Sequence, residues 1–207
     1  MKILAIDTST KRGSIALAEG DRCVSEKIFN AEVTHTENLL PAIDAIFKQA
    51  GWRLADLNGL GMTIGPGSFT GLRIGLATMK AFARVHHLPL VGVSSLLALA
   101  TSECLSDLPV AAIMDAKRGE VYAAVYAFSK GDVSKILLKE QAIKPEALSN
   151  ALKSIGDCRL PGEDQLRASC VAKLAYTSLK KGEGKNWTSL TPNYLRLSDA
   201  EIKKEGR

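Results

Sequence analysis

Residues 2–7 (KILAID) carry an unbroken apolar run that ends on an acid, and residues 8–13 (TSTKRG) form a polar turn closed by glycine. Two further strand-length segments follow at 14–19 and 23–29, parted by Gly20-Asp21. This spacing predicts an antiparallel three-strand meander. The period then changes: Leu39, Leu40, Ile43, Ile46, Phe47 and Ala50 share one helical face, Thr34 and Glu37 stand ahead of them at capping-box spacing, and Gly51 stops the run. Residues 57–64 predict a strand, residues 68–85 a long helix, residues 90–93 another strand, and Ser94 or Ser95 the cap of the next helix.

The stretch joining the strand at 57–64 to the long helix is GPGSFTGLRIG, residues 65–75. Gly65, Pro66 and Gly67 are turn chemistry, and Ser68 stands where an N-cap belongs. Gly71 and Gly75 fall inside the helix, where each costs roughly 1 kcal/mol against alanine, so a close neighbour is expected to compensate. At roughly 100° per residue, Leu72, Leu76, Met79 and Ala83 form one apolar face and Ile74, Ala77, Ala81 and Val85 a second, with Arg73, Lys80 and Arg84 as a basic stripe between them. One face suits the chain's own sheet. The second face and the glycine groove predict another helix, including one from a partner chain; anion binding at the helix N-terminus and a purely internal buried helix are the competing readings. No Gly-Lys-Ser/Thr ending and no GxGxxG follows the strand, so the nucleotide fingerprints are missing.

After Pro109 the order of signals repeats. Asp7, Lys11-Arg12-Gly13 and Gly20-Asp21 have counterparts in Asp115, Lys117-Arg118-Gly119 and Gly131-Asp132, with strand-length segments between them. A helix from Pro145, a short apolar stretch around Leu160 and a helix over 163–180 complete a second mixed α/β unit. The expected division is residues 1–106 and 107–207, with a tail from about 187 laid back over the first unit.

Composition changes this picture little. Of 207 residues, 46% are hydrophobic and 24% charged, which excludes disorder and membrane residence as classes. The apolar run ahead of Asp7 is too short for a secretory signal, so a cytoplasmic protein is expected. Cys23, Cys104, Cys158 and Cys170 are scattered and form no CxxC, as buried free thiols do. A net charge of +5 with 5% aromatic residues does not by itself mark a nucleic-acid surface.

Two such tandem units resemble the actin-like (ribonuclease H-like) fold of actin and the sugar kinases, with mixed sheets flanked by helices. IDTST (6–10), THTENLLP (34–41), GPGSFTGLRIG (65–75), VSSLLALA (93–100), DAKRGEVYAA (115–124) and PNYLR (192–196) together resemble the TsaB (YeaZ) family of bacterial tRNA threonylcarbamoyladenosine biosynthesis. The resemblance implies a non-catalytic subunit pairing with its paralogue TsaD, which transfers threonylcarbamoyl to an adenosine beside the anticodon, with TsaE as ATPase. It implies that tRNA is met through the complex, that ATP and a divalent metal sit on partner subunits and not on this chain alone, and that the chain self-pairs in isolation. The mating surface is expected on Thr36, Leu39, Ala42 and Ala45 of the first helix and on Gly67, Phe69, Gly71, Arg73, Gly75, Leu76, Thr78, Met79 and Phe82 around the second. A bulky residue at Gly75 is then expected to abolish pairing and spare the fold.

Two alternatives are weighed from the residues. An actin-fold ATP-dependent small-molecule kinase would use Asp7 and Asp115, the acids at two strand ends; here residues 161–164 (PGED) set two acids where an anion needs donors. A metallopeptidase-like protein would need the histidine pair that holds metal in the catalytic paralogue, and the matching positions are Ser95 and Leu99. Leucine offers no lone pair. His35, His86 and His87 do not rebuild such a pair.

Overall fold

The computed structural model describes residues 1–30, 35–184 and 187–196, with the side chains of residues 30 and 35–37 excepted. The Thr34–Glu37 capping box therefore lies outside the described residues, as does the side chain of Thr36. Strands β1 (Lys2–Asp7), β2 (Arg12–Glu19) and β3 (Arg22–Asn30) form the expected meander. They are followed by α1 (His35–Ala50), β4 (Gly59–Gly65), α2 (Phe69–His86), β5 (Leu90–Ser94) and α3 (Ser95–Thr101). The second series is β6 (Val110–Lys117), β7 (Glu120–Ser129), β8 (Asp132–Ile143), α4 (Pro145–Ile155) and α5 (Ala168–Lys180). No helix among the described residues is long and apolar enough to cross a membrane.

The first sheet has the order β3-β2-β1-β4-β5, antiparallel through β3, β2 and β1 and parallel through β1, β4 and β5. Because side chains alternate across a strand, its two faces feed two cores. Leu4, Ile6, Ile15, Leu17, Leu60 and Met62 pack under α1 and α2. Ile3, Ala5, Ala18, Val91 and Val93 face the other way and join residues of α3, α5, β6 and β7 in one continuous cluster. The second sheet is β6-β7-β8, antiparallel throughout. Where β1 has β4 beside it, β6 has a single parallel bridge, Val110 to Arg159. Leu160, expected to mark an apolar segment, is 62% exposed.

The main difference from the sequence reading is α5. Its place in the chain assigns it to the second unit, yet it packs on β1, β2 and β4 of the first sheet. The strand makes room: a Cβ on Gly61 would lie 2.7 Å from the Ala175 Cβ, so only glycine lets the helix sit this close.

Candidate functional site

Helix α2 starts where turn chemistry places it. Ser68 is its N-cap and accepts from the Gly71 N–H at 3.2 Å. Its inward face is Gly71, Leu72, Gly75, Met79 and Ala83, all buried. A Cβ on Gly75 would stand 2.3 Å from Thr8 Oγ1 and 3.3 Å from Ile6 Cδ1, both at the end of β1. Gly67 has φ +152° and would place a Cβ 2.3 Å from the Ser9 carbonyl oxygen, to which Ser68 N–H donates at 2.7 Å. At Gly67 and Gly75 the glycine groove is thus filled by the chain's own first hairpin. Of the residues expected on the mating surface, Gly67 and Gly75 face that hairpin, and Gly71, Met79, Leu39 and Ala42 are buried within this chain. The helical period located both faces of α2 but could not say which carried the glycines against the sheet.

The second apolar face of α2 is uncovered. Ala77, Ala81 and Val85 are exposed, Val85 at 69%, with Ile74, Thr78 and Phe82 half-buried beside them. On α1, Leu40 is 54% exposed and Ala45 half-buried. Along α1 and the turn that follows it runs a groove of about 400 Å³, lined by Leu40, Ile43, Asp44, Phe47, Lys48, Trp52 and Leu54 and, from α2, by Phe82. Leu76 lies half-buried on the opposite flank of α2.

The tail covers the start of α2. Leu190 is buried against Gly92 and Ile64, and Asn193 N–H donates to the Ile64 carbonyl at 2.7 Å. Tyr194 stacks on Phe69 at 4.5 Å and accepts from Arg73 Nε at 3.2 Å, while Arg84 lies over the Trp187 ring at 5.8 Å. Phe69 and Arg73, expected on the mating surface, engage the tail, as does Arg84 of the basic stripe. Arg196 then donates to the carbonyls of Ala116 and Lys117 at 2.9 and 3.4 Å and pairs with Glu120 at 3.5 Å. The tail so runs from the first sheet to the β6–β7 hairpin. PNYLR was the sequence signal for it, but not for what it covers.

The two strand-end aspartates repeat one local design. Asp7 Oδ1 accepts from Ser9 N–H at 3.0 Å, and Asp115 Oδ1 accepts from Lys117 N–H at 2.7 Å, the same two-residue step in both hairpins. Their surroundings then diverge. Asp7 is fully buried; its Oδ1 also takes the Ser9 and Thr63 hydroxyls, each at 2.7 Å, while Oδ2 has no partner among the described residues. Burial raises its pKa, only partly opposed by those hydrogen bonds. Asp115 is exposed and bonded to the Lys117 ammonium, which holds its pKa low. Glu163 accepts from the Asp115 N–H at 2.6 Å, so a second carboxylate occupies a backbone donor that a phosphate would need. The two aspartates share no partner. Ser95 and Leu99 are both fully buried, Leu99 within the core. His86 is half-buried, His87 is the left-handed C-cap of α2, and the His35 side chain lies outside the described residues. Among the described residues no group of three or more His, Cys, Asp or Glu side chains is placed to hold a metal.

Duplicated hairpins, a mixed sheet and a core shared across both units define an actin-like α/β protein. A family model described as TsaD, tRNA N6-adenosine threonylcarbamoyltransferase, matches residues 29–167. The chain is 30% identical to the tRNA threonylcarbamoyladenosine biosynthesis protein TsaB of Bacillus subtilis (strain 168), over 98% of this chain and 97% of that one. It is 35% identical to the TsaB of Escherichia coli (strain K12), over 75% of this chain and 68% of that one. The structure of YeaZ from Pseudomonas aeruginosa superposes with a TM-score of 0.82 at 26% identity, covering 94% of this chain and 99% of that one. The chain belongs to the TsaB (YeaZ) family.

Proposed function

We propose that this protein takes part in forming threonylcarbamoyladenosine on tRNA as a non-catalytic subunit, and that it docks on the transferase TsaD through the outer faces of α1 and α2. TsaE is the expected ATPase partner, and tRNA is met through the complex. The observation that carries this reading is the uncovered apolar surface of the two helices: Leu40 of α1 and Val85 of α2 are exposed, and Leu40 and Phe82 line one open groove. Exposed apolar side chains on two adjacent helices fit a helical partner surface, which for a paralogue would be its own equivalent helix pair. In the absence of TsaD the same strip pairs with a second copy of the chain.

The reading of this subunit as inert rests on side-chain chemistry. Asp7 has its Oδ1 saturated by Ser9 and Thr63 and its pKa raised by burial, a poor start for metal or base work. Asp115 sits beside Glu163, which disfavours a phosphate chain there. The test is a pair of single variants, Val85→Asp and Leu40→Asp, at exposed positions that leave the core alone. Each should retain the wild-type thermal midpoint and lose co-purification with TsaD by at least about tenfold, since burying an unpaired carboxylate costs more than ~1.4 kcal/mol. Wild-type binding by both variants would end the proposal, and ATP turnover by the isolated chain would favour the kinase alternative.

A further inference from the structure

Cys104 and Lys173 meet at the seam between the two units. Lys173 is on α5, one turn beyond Cys170, and its Nζ donates to Cys104 Sγ at 3.1 Å. Cys104, in the turn after α3, is 8% exposed, and the next residue, Leu105, is 83% exposed, so the sulfur lies just beneath the surface. The β7–β8 turn closes over the amine: a Cβ on Gly131 would come within 3.2 Å of Lys173 Nζ. Three elements therefore hold one amine against one thiol. The neighbouring Cys170 thiol is pushed up to about 12 by burial, with the Glu26 carboxylate adding to the effect.

We propose that Cys104 and Lys173 are a modification site for peroxides, joined on oxidation through a single oxygen as a nitrogen–oxygen–sulfur bridge. In the first step the Cys104 sulfur attacks one oxygen of hydrogen peroxide, the O–O bond breaks, and the thiol becomes a sulfenic acid with release of one water. Lys173 gives one proton to solvent to become the neutral amine. A second peroxide then removes one hydrogen from the amine and one from the sulfenic acid as the N–O bond forms, and is itself reduced to two waters. The sulfur and nitrogen are oxidised and both peroxides reduced. The geometry favours this outcome over a free sulfenic acid because the amine is already in contact with the sulfur. The product ties the turn after α3, a helix that packs on β4, β5, β6 and β7, to α5, which packs on β1, β2 and β4.

The test is peptide mapping of the full chain after hydrogen peroxide treatment. The expected result is a cross-linked species containing Cys104 and Lys173, heavier than the reduced pair by one oxygen less two hydrogens, and released by a thiol reductant. It should persist in Cys170→Ser and be absent from Cys104→Ser and Lys173→Arg. If either of those last variants fails to fold, the linked peptide in wild-type protein and its loss on reduction decide the matter alone. Oxidation of Cys104 to sulfinic acid without linkage, a Cys104–Cys170 disulfide, or no reaction at Cys104 would each overturn the proposal.

Discussion

Replacing Gly75 by alanine separates an inward from an outward glycine by the sign of its effect. On a solvent-facing or partner-facing helix surface, Gly→Ala stabilises the isolated chain by roughly 1 kcal/mol through helix propensity. Here the new methyl would fall 2.3 Å from Thr8 Oγ1 and 3.3 Å from Ile6 Cδ1, and Thr8 is completely buried. A β-branched side chain has few rotamers to escape into, so the methyl meets an overpacking cost of about 1–3 kcal/mol. The net change is a destabilisation of up to about 2 kcal/mol, which in a chain of this size lowers the thermal midpoint by about 2–4 °C per kcal/mol. Urea denaturation followed by the fluorescence of Trp52 and Trp187 reads it as a lower midpoint at constant slope. Thr8→Ala removes the clashing hydroxyl, which has no hydrogen-bond partner among the described residues, so Gly75→Ala in that background should recover the propensity gain. The double-mutant cycle should then show a coupling of about 1–3 kcal/mol. A stabilised Gly75→Ala with no coupling to Thr8 would refute the packing described above and return the glycine groove to a partner helix.

Other outcomes follow from the same geometry. Gly67→Ala should destabilise by at least about 2 kcal/mol, because its Cβ meets a backbone carbonyl that cannot rotate away and its φ of +152° strains any side chain; a wild-type melting curve would contradict this. Asp7→Asn should be more stable than wild type at neutral pH, with the advantage vanishing in acid. The raised pKa of the buried carboxyl means that the native state binds its proton more tightly than the unfolded chain does, so wild type loses stability as pH rises from about 3.8 through the folded value while the amide does not. A difference independent of pH would show that Asp7 does not titrate in this way. Tyr194→Ala removes the stack on Phe69 and the bond from Arg73, and should speed proteolysis of the tail without lowering the global stability by more than about 1–2 kcal/mol; unchanged cleavage rates would mean that Leu190 and Arg196 hold the tail by themselves.

The sequence alone determined the elements and their repetition. Turn residues at Gly20-Asp21 and Gly131-Asp132, the Ser68 cap and the 3.6-residue period of α1 and α2 act through neighbours in the chain, so they are legible without coordinates, and the motifs from IDTST to PNYLR carried the family with them. The duplication reached further than its residues showed, down to the matching bonds that Asp7 and Asp115 accept from Ser9 and Lys117. Only the tertiary structure decided which way the glycines of α2 face, that α5 crosses to the first sheet, and that burial sets Asp7 apart from Asp115. Each of these depends on contacts between segments distant in the chain. A glycine reads alike whether its missing side chain admits a partner's helix or the chain's own Thr8, and an aspartate at a strand end reads alike whether water or a closed core surrounds it.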